Sequence, residues 1–201
     1  KFLALKQMIK NTQTEEVLDI GAGSGIFSKM LLMDDFCQSA CCLDIGYTLN
    51  KKEFVNGKKI QYIKKIDLIT QNLVLFIDVL EHIQDDTCFL REYVEKMPVG
   101  CHVLISVPAF MFLWSRHDVF LNHQRRYSRA QLEKVVRAAG LDIMDTRFFF
   151  GLIFPIAACM RIFSRIRKND AVKSDLVSVP PWLNIFLTYI HVLETETLFR
   201  I

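Results

Sequence analysis

Two hundred and one residues, half of them hydrophobic, fit one α/β domain with an appendage and supply enough apolar material for a sizeable core. A formal net charge of +3 is too small to argue for a nucleic-acid partner. The six cysteines (Cys37, Cys41, Cys42, Cys88, Cys101, Cys159) contain no C-x-x-C pair and no zinc spacing, so no metal site is expected and a reduced, cytoplasmic compartment is the default. The chain opens on Lys1, not Met, which leads us to expect a missing true start and an invisible targeting segment.

Phe2, Leu3, Leu5, Met8 and Ile9 recur at roughly helical spacing and predict a first helix. Glu16 to Gly25 (EVLDIGAGSG) then reads as an apolar strand entering a glycine-rich turn, with a helix from Ile26 that carries Phe27, Met30, Leu31 and Leu32. Glycines at alternate positions admit positive φ and leave no Cβ between backbone and ligand, so a nucleotide-sized ligand is expected, against the alternative of a tight turn with no ligand. The dinucleotide pattern G-x-G-x-x-G fails by one place, because Ile26 stands where the third glycine belongs. Ser39 to Ile45 is a second strand, doubly apolar as in covered parallel sheets, with Cys37, Cys41 and Cys42 as small buried hydrophobes. Its Asp44 follows Gly25 by nineteen residues. An ionised acid there offers two acceptor oxygens to a ribose, or else simply opens a turn.

Lys59 to Lys64 alternates as a third strand and is followed by Asp67, while Leu73 to Asp78 (LVLFID) is apolar enough to be central. His82 comes just past the carboxyl end of that strand, where open α/β sheets place chemistry; a histidine bonded locally at a helix start is the competing reading. Asp85, Asp86 and Thr87 start a helix burying Phe89, Leu90, Tyr93, Val94 and Met97, which Pro98 and Gly100 end. His102 to Val107 is the fifth strand.

Residues 109–127 (AFMFLWSRHDVFLNHQRRY) form a long irregular loop over the sheet's carboxyl edge, too aromatic for disorder, and are expected to be a substrate lid. His117 or His123 suits proton removal near neutrality. Arg125 and Arg126 suit a phosphate or carboxylate on an acceptor, or else pin the lid to Asp78, Glu81 or Asp118. Ser128 to Gln131 reads as a capping box, Leu132, Val135, Val136 and Ala139 as a buried helix face, Gly140 as its end, and Leu141 to Phe150 as a sixth strand. Residues 148–168 carry an apolar run too short to span a bilayer and a basic end. They fit a helix at an anionic membrane surface, or one packed on the domain's own edge or on a dimer partner. After a polar linker, Trp182 to Leu193 is a second apolar helix; a seventh strand is not evident unless Thr197 to Ile201 begins it.

Three strings carry a family resemblance. An acid ahead of G-x-G-x-G, here Asp19 to Gly25, resembles the first motif of class I S-adenosylmethionine (SAM)-dependent methyltransferases, and Asp78 to Ile83 (DVLEHI) resembles their fourth. Val107 to Ser128, with Trp114-Ser115-Arg116-His117-Asp118 and His123-Gln124-Arg125-Arg126-Tyr127-Ser128, resembles a type 11/12-like bacterial branch whose members are often encoded beside, or fused to, enzymes of polyprenyl-phosphate sugar transfer. The resemblance implies a Rossmann-like, doubly wound, mostly parallel sheet in residues 1–150 with a helical appendage in 151–201 that faces a membrane or a partner. It implies SAM held by Asp19, Gly21, Ala22, Gly23 and Gly25, the ribose by Asp44 with Ile45 beside it, the adenine edge by Asp67, and a floor made by Ile77 and Asp78. The acceptor, a small or lipid-linked molecule methylated on oxygen or nitrogen, would lie beneath the lid, with His123, Tyr127 and His82 as catalytic candidates and Trp114, His117, Arg125 and Arg126 as binding ones. The setting would be cytoplasmic or peripheral at the inner membrane, with no nucleic-acid partner and an open oligomeric state. A nucleotide-dependent oxidoreductase and a catalytically silent binding module on the same fold remain as rivals.

Overall fold

The structure, a computed structural model, describes residues 1–12, 14–152, 154–155, 158–159 and 180–197. Helix α1 (Phe2–Ile9) buries Ala4, Leu5 and Ile9; β1 (Glu16–Ile20), α2 (Ile26–Met33) and β2 (Ser39–Leu43) follow as the apolar pattern predicts. The third predicted strand is the second arm of a hairpin, β3 (Lys51–Val55) with β4 (Lys58–Ile63), which turns on Asn56 and Gly57 at φ 52° and 73°. Two successive left-handed residues match the twist of the flanking strands, which is why Asn-Gly favours this turn. Strand β5 (Leu73–Ile77), α3 (Asp86–Val94), β6 (His102–Ser106), α4 (Arg116–Phe120), α5 (Arg129–Ala138) and α6 (Pro181–Thr197) complete the described elements.

The strands lie in the order β3-β4-β2-β1-β5-β6, with only the β3/β4 pair antiparallel. The expected doubly wound sheet is therefore present. Side chains alternate across it: Leu73 and Leu75 join Val17, Leu31, Leu32 and Ile60 in one core, while Val74 and Phe76 join Leu18, Ile20, Leu80 and Leu90 in the other. Both faces are thus covered, and the chain reverses its winding between β1 and β5. Their carboxyl ends open the crevice where such sheets bind ligands.

Three expectations need correction. Leu141 to Phe150 is irregular and not a sixth strand. Its aromatic run is used as separate anchors: Phe148 stacks on Phe110 at 5.0 Å, Phe149 packs against the first core, and Phe150 lies 4.2 Å from the ring of His191 on α6. The 109–127 segment is more ordered than a plain loop, holding a 3-10 turn at Met111–Leu113 and the capped helix α4. Thr197 ends α6 and does not open a strand; residues 198–201 lie outside the described residues, as does most of the 148–168 segment. The Ser128 capping box with Gln131 and the α5 face of Leu132, Val135 and Val136 are as predicted. Among the described residues no helix is long and apolar enough to cross a membrane. Helix α6 lies against α1.

Candidate active site

The glycine turn is stitched to the end of β2: Gly21 and Ala22 N–H donate to the Leu43 carbonyl at 2.8 and 3.2 Å, and Gly25 N–H closes the turn on Ala22 at 2.8 Å. The three glycines have different reasons to be glycine. A Cβ on Gly21 would stand 2.6 Å from Val79 Cγ2, and one on Gly25 would stand 3.0 Å from Tyr62 and 3.1 Å from Cys42 Sγ. At Gly23 it would meet nothing within 4 Å. Two glycines therefore serve packing, and the middle one faces open space.

Asp44 is turned into this turn. Its Oδ2 accepts from Gly23 N–H at 2.9 Å and its Oδ1 from Gly46 N–H at 2.8 Å, which leaves lone pairs on both oxygens. Tyr47, a residue the sequence reading passed over, donates its hydroxyl to the Gly23 carbonyl at 2.7 Å and meets Tyr62 edge-on at 5.5 Å. Ile45 beside it is 83% exposed. Asp67 is also exposed. Asp19 lies beneath the turn, buried, accepting from Ser28 Oγ at 2.8 Å. Burial pushes its carboxyl up to about 6, with the Ser28 hydrogen bond opposing and the charge of Asp44 adding to the shift.

Across the crevice, β5 ends at the half-buried Ile77, and Asp78 takes a left-handed φ of 56°. Asp78 N–H donates to Ser106 O at 2.9 Å, its Oδ1 accepts from Ser106 Oγ at 3.2 Å, and its Oδ2 takes the ammonium of Lys1. A non-glycine residue in this conformation costs roughly 1–3 kcal/mol and marks sites where the surroundings impose it. The next turn carries Glu81 and His82. Glu81 is 1% exposed and its Oε2 has no hydrogen-bond partner. Burial first, and then the charge of Asp78, push its carboxyl up to about 8. His82 is exposed and meets the His123 ring edge-on at 4.7 Å; partial burial and its neighbour His123 lower its pKa.

The overlying segment is built around Asp118, which is fully buried. It accepts from Ser115 N–H at 2.8 Å, from Arg126 Nε at 2.8 Å and Nη2 at 3.0 Å, and pairs with His123 Nδ1 at 3.0 Å. Burial opposes its charge, but these donors, Arg126 foremost, hold the carboxyl down to about 2. Arg125 binds Asp86 at 2.6 Å and the Gln84 carbonyl at 2.6 Å. Tyr127, 3% exposed, donates to Asp86 at 2.6 Å and reaches Leu80 O at 3.1 Å. Of the predicted loop residues, then, Arg125, Arg126 and Tyr127 are engaged as pins, and His123 alone is brought to His82 at the end of β5. Trp114 is half-buried at the end of the 3-10 turn, and His117 is half-buried in the first turn of α4, its Nδ1 buried and unpartnered. Glu81, Asp86 and Asp118 were not singled out as site residues from the sequence, although Ser115-x-x-Asp118 is a capping signature legible in it.

A family profile described as a methyltransferase domain matches residues 2–146. The search of curated proteins returned no match. Solved structures with the same fold include the YcgJ protein of Bacillus subtilis, at 16% identity over 83% of this chain and 84% of that one, TM-score 0.56. CalO1, a methyltransferase of calicheamicin biosynthesis solved with S-adenosylhomocysteine (SAH), is similar at 19% identity over 71% of this chain and 49% of its own, TM-score 0.51. Human N-acetylserotonin methyltransferase, solved with SAM, is similar at 14% identity over 73% and 47%, TM-score 0.56. At these identities the solved structures establish the fold alone, and the profile, spanning most of the chain, establishes the kinship: the protein belongs to the methyltransferase-domain family.

Proposed function

We propose that the protein is a SAM-dependent methyltransferase acting on a small-molecule or lipid-linked hydroxyl. The observation that carries this reading is the open space over Gly23 with the Asp44 carboxylate bonded to its N–H. Bare backbone of this kind admits a bulky charged ligand at contact distance, and an ionised acid beside it accepts from vicinal hydroxyls. Gly21, Ala22, Gly23 and Gly25 would border the methionine part of the cofactor, Asp44 the ribose, exposed Ile45 and Asp67 the adenine, and Ile77 and Asp78 the floor. Asp19, buried beneath the turn, would support the site by holding α2 through Ser28. SAM supplies a methyl group activated on a sulfonium, and the protein's task is to hold the acceptor oxygen in line and see its proton removed. Three groups that could act on that oxygen gather near the end of β5: Glu81, His82 and His123.

A lipid-linked acceptor, met at the inner face of a membrane, is supported by the apolar side chains left exposed on the lid and on α6, among them Phe112, Phe120, Trp182, Ile185 and Phe186. The experiment is transfer of labelled methyl from SAM to fractionated acceptor pools, with and without anionic vesicles. Label entering a hydroxylated small molecule or polyprenyl-type lipid supports the reading. SAM binding with no transfer to any pool points instead to a silent binding module.

A further inference from the structure

We propose that Glu81, His82 and His123 form a divalent-cation site beside the methyl-transfer centre, whose ion holds the acceptor hydroxyl. One ligand atom from each of the three residues lies within 4.8 Å of the other two. Carboxylate oxygens and imidazole nitrogens bind first-row divalent ions at roughly 2.1 Å, so tetrahedral ligands of one ion stand about 3.4 Å apart. A contraction of at most about 1.4 Å closes the set.

Each ligand is prepared by a neighbour. Glu81 is 1% exposed, yet its Oε2 has no partner, and a buried carboxylate oxygen left so calls for one. His123 gives Nδ1 to Asp118 at 3.0 Å, so Nε2 carries its lone pair. A carboxylate behind an imidazole fixes the tautomer and ring direction of metal-bound histidines, and Asp118 is itself locked by two bonds from Arg126. His82 is likewise steadied on one side by the Leu121 carbonyl. Asp78 lies close enough to act electrostatically on both Glu81 and His82. One carboxylate with two imidazoles suits Mn²⁺, Fe²⁺, Co²⁺ or Zn²⁺ over Mg²⁺ or Ca²⁺, and three protein ligands leave positions open for water or substrate. The sequence reading expected no metal because it looked for cysteine spacing, whereas this set joins the end of β5 to a residue some forty positions later.

The role assigned to the ion rests on the methyl-transfer reading; the binding does not. An acceptor hydroxyl on the ion loses its proton to solvent at neutral pH, as metal-bound water does. Its oxygen then forms the O–CH₃ bond as the S–CH₃ bond breaks, the sulfur keeping the electron pair as a neutral thioether.

The test is titration of the untagged, chelator-stripped full chain with MnCl₂, with free Mn²⁺ read by electron paramagnetic resonance. One Mn²⁺ per chain, displaced by Zn²⁺, is expected, with binding weakened at least tenfold in Glu81→Gln, His82→Ala and His123→Ala. His82 is exposed, so its variant keeps the fold, and a thermal melt of each variant checks this. Asp44→Asn should bind Mn²⁺ as wild type does, so loss of the cofactor reading leaves the metal result intact. Water-proton relaxation should show at least one exchangeable water on the bound ion. Absence of binding, or binding unchanged in all three variants, overturns the site; a bound ion without exchangeable water overturns its role.

Discussion

Replacing Gly23 with alanine separates the cofactor from the fold. The residue sits at φ 53°, where an L side chain costs roughly 1–2 kcal/mol, so Gly23→Ala should lose about that much stability and no more, since its Cβ meets no protein atom within 4 Å. Gly21→Ala carries the same backbone cost at φ 70°, and its Cβ also stands 2.6 Å from Val79 Cγ2, which adds roughly 1–3 kcal/mol of overpacking. Urea unfolding should therefore rank wild type above Gly23→Ala and Gly23→Ala above Gly21→Ala. Binding should follow the opposite logic. A methyl at position 23 projects into the space assigned to the ligand, and forfeiting about 1.4 kcal/mol of contact weakens binding tenfold. Calorimetry with SAH on the folded Gly23→Ala protein, below its unfolding temperature, reads this directly. Affinity equal to wild type would refute the reasoning, because the space over Gly23 would then not be the site.

Asp19→Asn should stabilise the protein at neutral pH while keeping the bond to Ser28. With a folded pKa of about 6 against 3.8 unfolded, the native state binds more protons, so the acid's burial costs nothing below the unfolded value and up to about 3 kcal/mol above the folded one. The gap in urea midpoint between variant and wild type should open between pH 4 and 6 and stay open above; a gap independent of pH contradicts the assignment. Asp118→Ala leaves the Arg126 guanidinium buried without its partner, a loss of about 3–5 kcal/mol for such pairs, and limited proteolysis should then cut within residues 109–127 at least tenfold faster. An unchanged cleavage rate would mean that Asp118 does not hold this segment in place.

The sheet and its glycine turn were legible because they depend on local patterns. The largely apolar runs at Val17 to Ile20 and Leu73 to Phe76 read as covered strands, and glycines at 21, 23 and 25 mark a tight turn, although two of the three serve its packing against Val79, Tyr62 and Cys42. The hairpin arm Lys51–Val55 was missed though Asn56-Gly57 announces it, because its residues are half or fully exposed and lack an apolar run. The false sixth strand arose from Phe148 to Phe150, whose β propensity is overridden by three separate packing partners. Partner choice was the least legible level. That one of Arg125 and Arg126 would bind a carboxylate named in advance, Asp118, was foreseeable from charge, but Asp86 as the shared partner of Arg125 and Tyr127 depends on how α3 meets the 109–127 segment. The unpartnered oxygen of Glu81 has no sequence signal, since burial of one acid in DVLEHI is decided by the whole fold.

The account rests on SAM seated over Gly23 and beside Asp44, and calorimetric titration of the wild-type chain with SAH, beside NADH as a control, tests it most directly. One SAH per chain, no heat from NADH, and a loss of roughly 1.5–3 kcal/mol in Asp44→Asn are predicted, the last being what hydrogen bonds to a charged group contribute. No SAH binding at millimolar concentration, or an Asp44→Asn protein that binds SAH as tightly as wild type, would contradict it.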